Sequence, residues 1–320
     1  MYINNANLDL IFRAAATNFQ GALTGTPTVY GDLCTTIPMQ TRQVTQGWID
    51  RVPQMRKWLG NRVVNSVVSL AKPYLAEPYE HTMSLSKWDI IDNMLFNFNM
   101  AVSMQGEAVA KQPDKLLWDF TQVAASNAAL GYDGVPVYST VHPILNGYAG
   151  GVPAGTPATQ SNLALNTPLT FDNYTAVRAQ MRSWKGADGA PMAIMPTLLV
   201  VPPAMEAKGK LILEADFLSN INGNAAAPQS NTYKGSAKLL VNPWMADWQT
   251  NWFLYDTSKV IKPFADNELT PPAFTYLTNP NDPNVFNMAE FLYGAERRNV
   301  VTETVWWLGF AATAESTYVP

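Results

Sequence analysis

The chain has 320 residues, of which 47% are hydrophobic and only 14% are charged, and its net charge is −4. This length predicts two or three lobes instead of one core, and the scarcity of charge predicts a surface that neighbouring protein covers. The weak acidity and the short Lys/Arg runs exclude a tight nucleic-acid-binding domain, and the single cysteine Cys34 excludes an intrachain disulfide. The sequence shows no leader and no apolar run of membrane-spanning length, so we expect neither secretion nor membrane insertion.

Residues 1–47 are predicted to form an N-terminal arm. The segment is rich in Asn, Thr, Gln and Gly, and one short helical pattern places Leu8, Ile11, Phe12 and Ala15 on a common face. Because a polar arm usually frays at the end of a monomer, we expect a contact outside the subunit to hold it.

Residues 48–90 are predicted to form a long β-hairpin. Alternating polar and apolar residues indicate strands over 62–71 and 79–87, joined by a connection that contains Pro73 and Pro78. An isolated two-stranded ribbon is marginally stable in water, so this hairpin is expected to lie on another surface. Candidates for intersubunit contact near its base and tip are Arg51, Arg56, Lys57, Trp58, Arg62, Lys72, Glu77 and Glu80.

Two consecutive helices are expected next. Asp92 is placed to cap a helix over 93–112, and Pro113 is expected to end that helix and to start a second one over 114–126. Three methionines of the first helix are predicted to fill the core and not to bind a ligand: Met94, Met100 and Met104.

Residues 131–143 (GYDGVPVYSTVHP) combine a tight turn, a short apolar strand and a loop that ends at a proline. His142 in this loop follows Asp133 by nine residues, a spacing that leaves a metal or acid–base site open. The interpretation that we favour is structural, with His142 bonded to a backbone carbonyl that fixes the loop. The other histidine, His81, is assigned to the surface or a contact. The usual enzyme motifs are absent, so no catalytic, cofactor or metal residue is predicted.

An αβ lobe is predicted over 165–262, after a polar loop over 145–168. Thr170 caps a helix that ends at Arg182, and further strands and helices are expected in the order strand 193–201, helix 204–214, strand 237–241 and strand 252–255. The tail 263–320 is predicted to return to the first sheet with strands over 273–277, 287–293 and 302–310 and a turn over 294–299.

Four ordered blocks resemble the Mu-type major head subunit family of tailed phages. They are 131–143, 169–174 (LTFDNY), 196–203 (PTLLVVPP) and 286–294 with the closing pair Trp306-Trp307. The resemblance runs from about Trp58 to the C-terminus. Family members tend to carry a carboxylate close before the histidine, where this chain has Ser139-Thr140-Val141, and this departure weakens a metal site.

The resemblance implies an α+β, HK97-like capsid fold. Its parts would be an N-terminal arm (1–47), an extended hairpin loop (48–90), a peripheral domain with a long spine helix (91–164), an axial αβ domain (165–262) and the return strands of the peripheral domain (263–320).

The implied function is that of a major capsid protein, which assembles as pentamers and hexamers into an icosahedral shell around double-stranded DNA. Expected partners are other copies of the chain, separate scaffolding, portal and cement proteins, and weakly contacted DNA. No cofactor and no membrane are expected, and the location would be the virion after assembly in the host cytoplasm. Two alternatives remain open here, an encapsulin-like shell of the same fold and a cytosolic hydrolase that uses His142.

Overall fold

Helices and strands are mixed along the chain, and the computed structural model describes residues 3–49, 69–144, 159–186, 189–218 and 229–318. The helices are α1 (Asn5–Gly25), α2 (Tyr30–Leu33), α3 (Lys87–Ile91), α4 (Phe96–Val123), α5 (Phe171–Ser183), α6 (Glu206–Leu213) and α7 (Pro283–Met288). The strands are β1 (Cys34–Pro38), β2 (Gln43–Ile49), β3 (Ser69–Leu75), β4 (Glu77–Ser86), β5 (His142–Pro143), β6 (Thr159–Gln160), β7 (Leu163–Ala164), β8 (Leu198–Val201), β9 (Phe217–Leu218), β10 (Gln229–Ser230), β11 (Lys238–Val241), β12 (Asn251–Tyr255), β13 (Phe264–Tyr276), β14 (Glu290–Glu303) and β15 (Gly309–Thr313). Among these described helices, none is long and apolar enough to cross a membrane.

The first lobe is a four-stranded sheet covered by two helices. Its strand order is β1-β13-β14-β4, with β1 parallel to β13 and the other pairs antiparallel. Helices α1 and α4 lie against this sheet, and their shared core contains Phe12, Phe98 and Tyr293. The two helices approach closely at Gly106, where an added Cβ would lie 2.6 Å from the carbonyl oxygen of Phe19.

The N-terminal segment is held within the subunit. The predicted apolar face is confirmed, because Leu8, Ile11, Phe12 and Ala15 are all buried. The stripe continues to Phe19, however, and makes a helix of 21 residues that packs on α4 and the sheet. Intramolecular burial of its apolar face therefore holds the described helix, and a contact outside the subunit stays a prediction.

The predicted break at Pro113 is also wrong. Helix α4 runs without interruption for 28 residues and contains Pro113 in its interior. The loss of one backbone hydrogen bond is outweighed by tertiary contacts, since Leu117 and Trp118 beyond the proline are buried in the core.

The three methionines predicted to fill the core lie outside it. Met94, Met100 and Met104 are 66%, 46% and 63% exposed, so their assignment to the core is corrected.

The hairpin has different partners from those predicted. Strand β2 pairs antiparallel with β3, from Gln43 opposite Leu75 to Ile49 opposite Ser69. Strand β4 pairs instead with β14, so the predicted pairing of 62–71 with 79–87 is wrong. Period-two alternation identifies a strand but carries little information about its partner, which explains the error. Residues 50–68 lie outside the described part of the chain.

The second lobe is a five-stranded sheet buried on both faces. Its order is β11-β8-β12-β15-β7, and every residue of β8 is buried. Alternate residues of β8 face two cores, because Leu199 lies with α5 and α6 residues such as Tyr174 while Val200 lies with Trp118 of α4. The cap predicted at Thr170 is confirmed, since its Oγ1 accepts a hydrogen bond from the Asn173 amide.

The C-terminal strands depart from the prediction in several places. The strand predicted over 302–310 is divided, because β14 ends at Glu303 and β15 begins at Gly309. Strand β14 continues through the charged stretch 294–299, where a turn was expected, because Arg297 is buried in ion pairs with Asp266 at 2.7 Å and Glu268 at 2.9 Å on neighbouring β13. Strand β15 then joins the second lobe between β12 and β7, although all of 263–320 was expected to return to the first. The domain boundaries as a whole stay a prediction.

Candidate functional site

The segment 131–143, called the junction segment below, connects the end of α4 to the second lobe. Its tight turn is confirmed by the Gly131 amide, which donates to the Val135 carbonyl at 2.6 Å, and by Gly134 in the left-handed region at φ 82°. One oxygen of Asp133 accepts a hydrogen bond from the Val135 amide at 3.3 Å. The turn thereby leaves the second oxygen of Asp133 directed at the following loop.

The centre of the junction segment is anchored in the core. The Tyr138 amide donates to the carbonyl of Ala124, and the Tyr138 and Tyr255 hydroxyls lie 2.6 Å apart. Burial raises the pKa of both phenols, so this pair is neutral. The segment is thus attached to α4 on one side and to β12 of the second lobe on the other.

His142 is completely buried among side chains. Its Nδ1 lies 2.6 Å from Asp133 Oδ2 and its Nε2 lies 2.9 Å from Asn162 Oδ1. The side-chain nitrogen Nδ2 of Asn162 donates to the carbonyls of Val137 and Trp306, and these two hydrogen bonds orient Asn162 Oδ1 toward the imidazole ring. The ring also stacks on Trp306, with centroids 4.4 Å apart. The expected structural histidine is therefore present, but its expected backbone-carbonyl partner is wrong, because Asp133 and Asn162 supply the acceptors.

This arrangement offers no route to catalysis. Both ring nitrogens of His142 face oxygen atoms and the ring has no solvent-exposed surface, so it cannot reach a substrate. His81 lies on β4, where its ring accepts a hydrogen bond from Gln105. In the described residues, no group of three or more His, Cys, Asp or Glu side chains could hold a metal ion.

The base of the hairpin meets the body beside the junction segment. We define the hairpin root as residues 72–75 of β3. The Tyr74 hydroxyl donates to Glu303 Oε1 at 2.8 Å, and the Lys72 ammonium donates to the carbonyl of Leu130 and lies 5.0 Å from the centroid of the Tyr74 ring. Burial raises the pKa of Glu303 to about 7, while Lys72 and the Tyr74 hydroxyl act in the opposite direction.

The candidate contact residues have separate environments. Lys72 belongs to the hairpin root, Glu77 lies 3.9 Å from Arg42 with both side chains exposed, and Glu80 accepts a hydrogen bond from Thr82 in its own strand. Five further candidates lie outside the described residues: Arg51, Arg56, Lys57, Trp58 and Arg62. Intersubunit contact by all eight therefore stays a prediction.

Sequence reasoning missed the residues that complete this site. Asn162 lies in a polar loop without periodicity, so no sequence signal marks it. Glu303 follows Val300 and Val301 in a strand, but Glu is rarely buried in proteins, so the sequence does not indicate that its carboxyl group is buried. Trp306 was noted only as part of a motif, and its stacking on His142 depends on tertiary structure.

The sequence matches the family described as the Mu-like prophage major head subunit gpT over residues 8–166, 151–245 and 246–318. It is 21% identical to the major capsid protein of Escherichia phage Mu, across 77% of this chain and 100% of that protein. It is 20% identical to the Mu-like prophage FluMu major head subunit of Haemophilus influenzae, across 98% of this chain and 76% of that protein.

A solved structure shares the fold. A chain from the procapsid of bacteriophage JBD30 superposes with a TM-score of 0.60 at 23% identity, over 97% of this chain and 76% of that chain.

Proposed function

The chain belongs to the Mu-like major head subunit family and is a major capsid protein of a tailed phage with the HK97-like fold, and from this premise we propose that it forms pentamers and hexamers that close an icosahedral shell around double-stranded DNA. It is a structural protein of the virion that self-assembles, and it is not an enzyme. The hydrolase alternative is therefore rejected, and family membership favours the phage shell over the encapsulin-like one.

The hairpin is the observation that supports intersubunit overlap. Strands β2 and β3 pair over seven residues and, within the described part of the chain, join no other sheet. A two-stranded ribbon alone is marginally stable in water, so a further surface is needed to stabilise it. The root is fixed to its own body by Tyr74 and Lys72, which leaves the distal part to lie on a neighbouring copy.

The charge of the chain supports a container for DNA more than a DNA-binding protein. The net charge is −4, and strong binding would need many Lys or Arg contacts to phosphate. Weak, non-specific contact allows DNA to be packed and released.

The remaining partners follow from the same premise. Scaffolding, portal and cement functions are assigned to separate chains as part of this proposal. Assembly is assigned to the host cytoplasm, where a single buried cysteine needs no oxidising environment.

The test removes the segment that connects β2 to β3. A variant in which a short Gly-Ser linker replaces residues 50–68 is expected to fold with an unchanged melting temperature and to form no closed particles in negative-stain electron microscopy. A matched control keeps the original length and replaces residues 50–68 by Gly and Ser throughout. It distinguishes the effect of the length of this segment from the effect of side-chain contacts such as those proposed for Arg56 and Trp58. Closed shells of normal size from the deletion variant would refute the overlap.

A further inference from the structure

Glu303 lies beneath the hairpin root and is shielded from solvent. It is 1% exposed, and its Oε1 accepts the hydrogen bond from Tyr74, which is itself buried on β3. Its Oε2 has no hydrogen-bond partner among the described residues. A carboxylate in this position lacks the solvation that both of its oxygens would have in water. Lifting the root would expose Glu303 to solvent.

The charged groups around Glu303 come from two elements. Lys72 on the hairpin root attracts the ionised form, whereas Asp133 on the junction segment repels it. Asp133 is itself paired with His142 at 2.6 Å. Glu303 thus lies between the hairpin root and the junction segment that connects the two lobes.

We propose that Glu303 and Tyr74 form a proton-controlled latch, in which the protonated carboxyl group keeps the hairpin root on the body and the ionised carboxylate loosens it. The Tyr74 hydroxyl can donate to either form. The two docked forms differ in free energy by the cost of burying a charged carboxylate, one oxygen of which lacks a hydrogen-bond partner. Water solvates the carboxylate and removes that cost when the root lifts.

The direction of the pH dependence follows from linkage. Burial raises the pKa of docked Glu303 from 4.5 to about 7, and solvation returns it toward 4.5 when the root is undocked. The docked state therefore binds more protons between these two values, so docking weakens as the pH rises and levels off above the docked pKa. The docking equilibrium constant is expected to fall roughly 25-fold between about pH 5.5 and about pH 8.

This latch controls a property of the single subunit and holds whether or not the hairpin overlaps a neighbour. Where overlap does occur, a loosened root allows the hairpin to change its position on the neighbouring subunit, and protonation of Glu303 restricts this movement.

Hydrogen–deuterium exchange of the full-length chain tests the latch. Peptides covering β3 should lose roughly 25-fold protection from about pH 5.5 to about pH 8 after correction for intrinsic exchange rates, while peptides covering β12 in the second lobe serve as the internal control. The variant Glu303→Gln keeps an acceptor for Tyr74 but cannot ionise, so its β3 peptides should stay protected at both pH values.

Two results would overturn the latch. One is equal protection of β3 at both pH values in the unmodified chain, which decides the question even if the variant folds poorly. The other is an unchanged pH dependence in Glu303→Gln, which would assign the effect to another group, such as the pair of Asp133 and His142.

Discussion

Replacing His142 with alanine should strongly destabilise the subunit. The imidazole is completely buried between Asp133 and Asn162 and stacks on Trp306, so its removal opens a gap and orphans a carboxylate that is itself only 2% exposed. Removal of a large buried side chain leaves a cavity and an unsatisfied hydrogen-bond partner, and together these typically cost about 3–5 kcal/mol. We expect His142→Ala to lie in this range.

A second substitution distinguishes charge from packing. Adding Asp133→Asn to His142→Ala removes the orphaned charge and keeps the oxygen that accepts from the Val135 amide, so the double variant should recover about 1–2 kcal/mol relative to His142→Ala. If packing alone mattered, the second change would give no recovery.

The assay is urea unfolding of the unassembled subunit, followed by tryptophan fluorescence. The matched control is His81→Ala, which alters the chain's other histidine at an exposed position and should cost at most about 1 kcal/mol. A His142→Ala variant no less stable than the His81→Ala control would refute the role assigned to the buried pair.

Two further substitutions test contacts within the first lobe. Gly106→Ala places a methyl group 2.6 Å from the Phe19 carbonyl oxygen and should destabilise the contact of α1 with α4 by about 1–3 kcal/mol, seen as faster hydrogen exchange in α1; unchanged exchange there would contradict the close packing. Arg297→Met leaves Asp266 buried without its cation and should lower the unfolding free energy by about 3–5 kcal/mol in the same urea assay. Stability equal to that of the unmodified chain would show that the ion pairs with Asp266 and Glu268 are replaceable by apolar packing.

Features set by neighbouring residues could be predicted from the sequence. The cap at Thr170 and the turn at Gly134 both depend on interactions within a few residues, and both are confirmed. The strand predicted over 193–201 is confirmed only in part, because β8 spans Leu198–Val201. Local propensity and spacing contain enough information for such features.

Features that depend on distant residues were missed. The sequence pattern predicts strands over 62–71 and 79–87, but β3 continues through the predicted connection as far as Leu75. Nor does the pattern show that β2 and β14 are the partners of β3 and β4. Pro113 would end an isolated helix, and only the tertiary contacts of Leu117 and Trp118 keep α4 continuous.

The candidate site shows the same division. Asp133 and His142 could be singled out because they share one short segment. Asn162, Glu303 and Tyr74 join them from 20 or more residues away, so only the fold brings the set together.

Electron cryomicroscopy of particles assembled from the full-length chain is the direct test of the proposed shell. We expect closed icosahedral shells of pentamers and hexamers, with strands β2 and β3 extending from a root fixed at Tyr74 onto the adjacent subunit. Small discrete oligomers, or shells in which the hairpin lies entirely on its own subunit, would contradict this expectation.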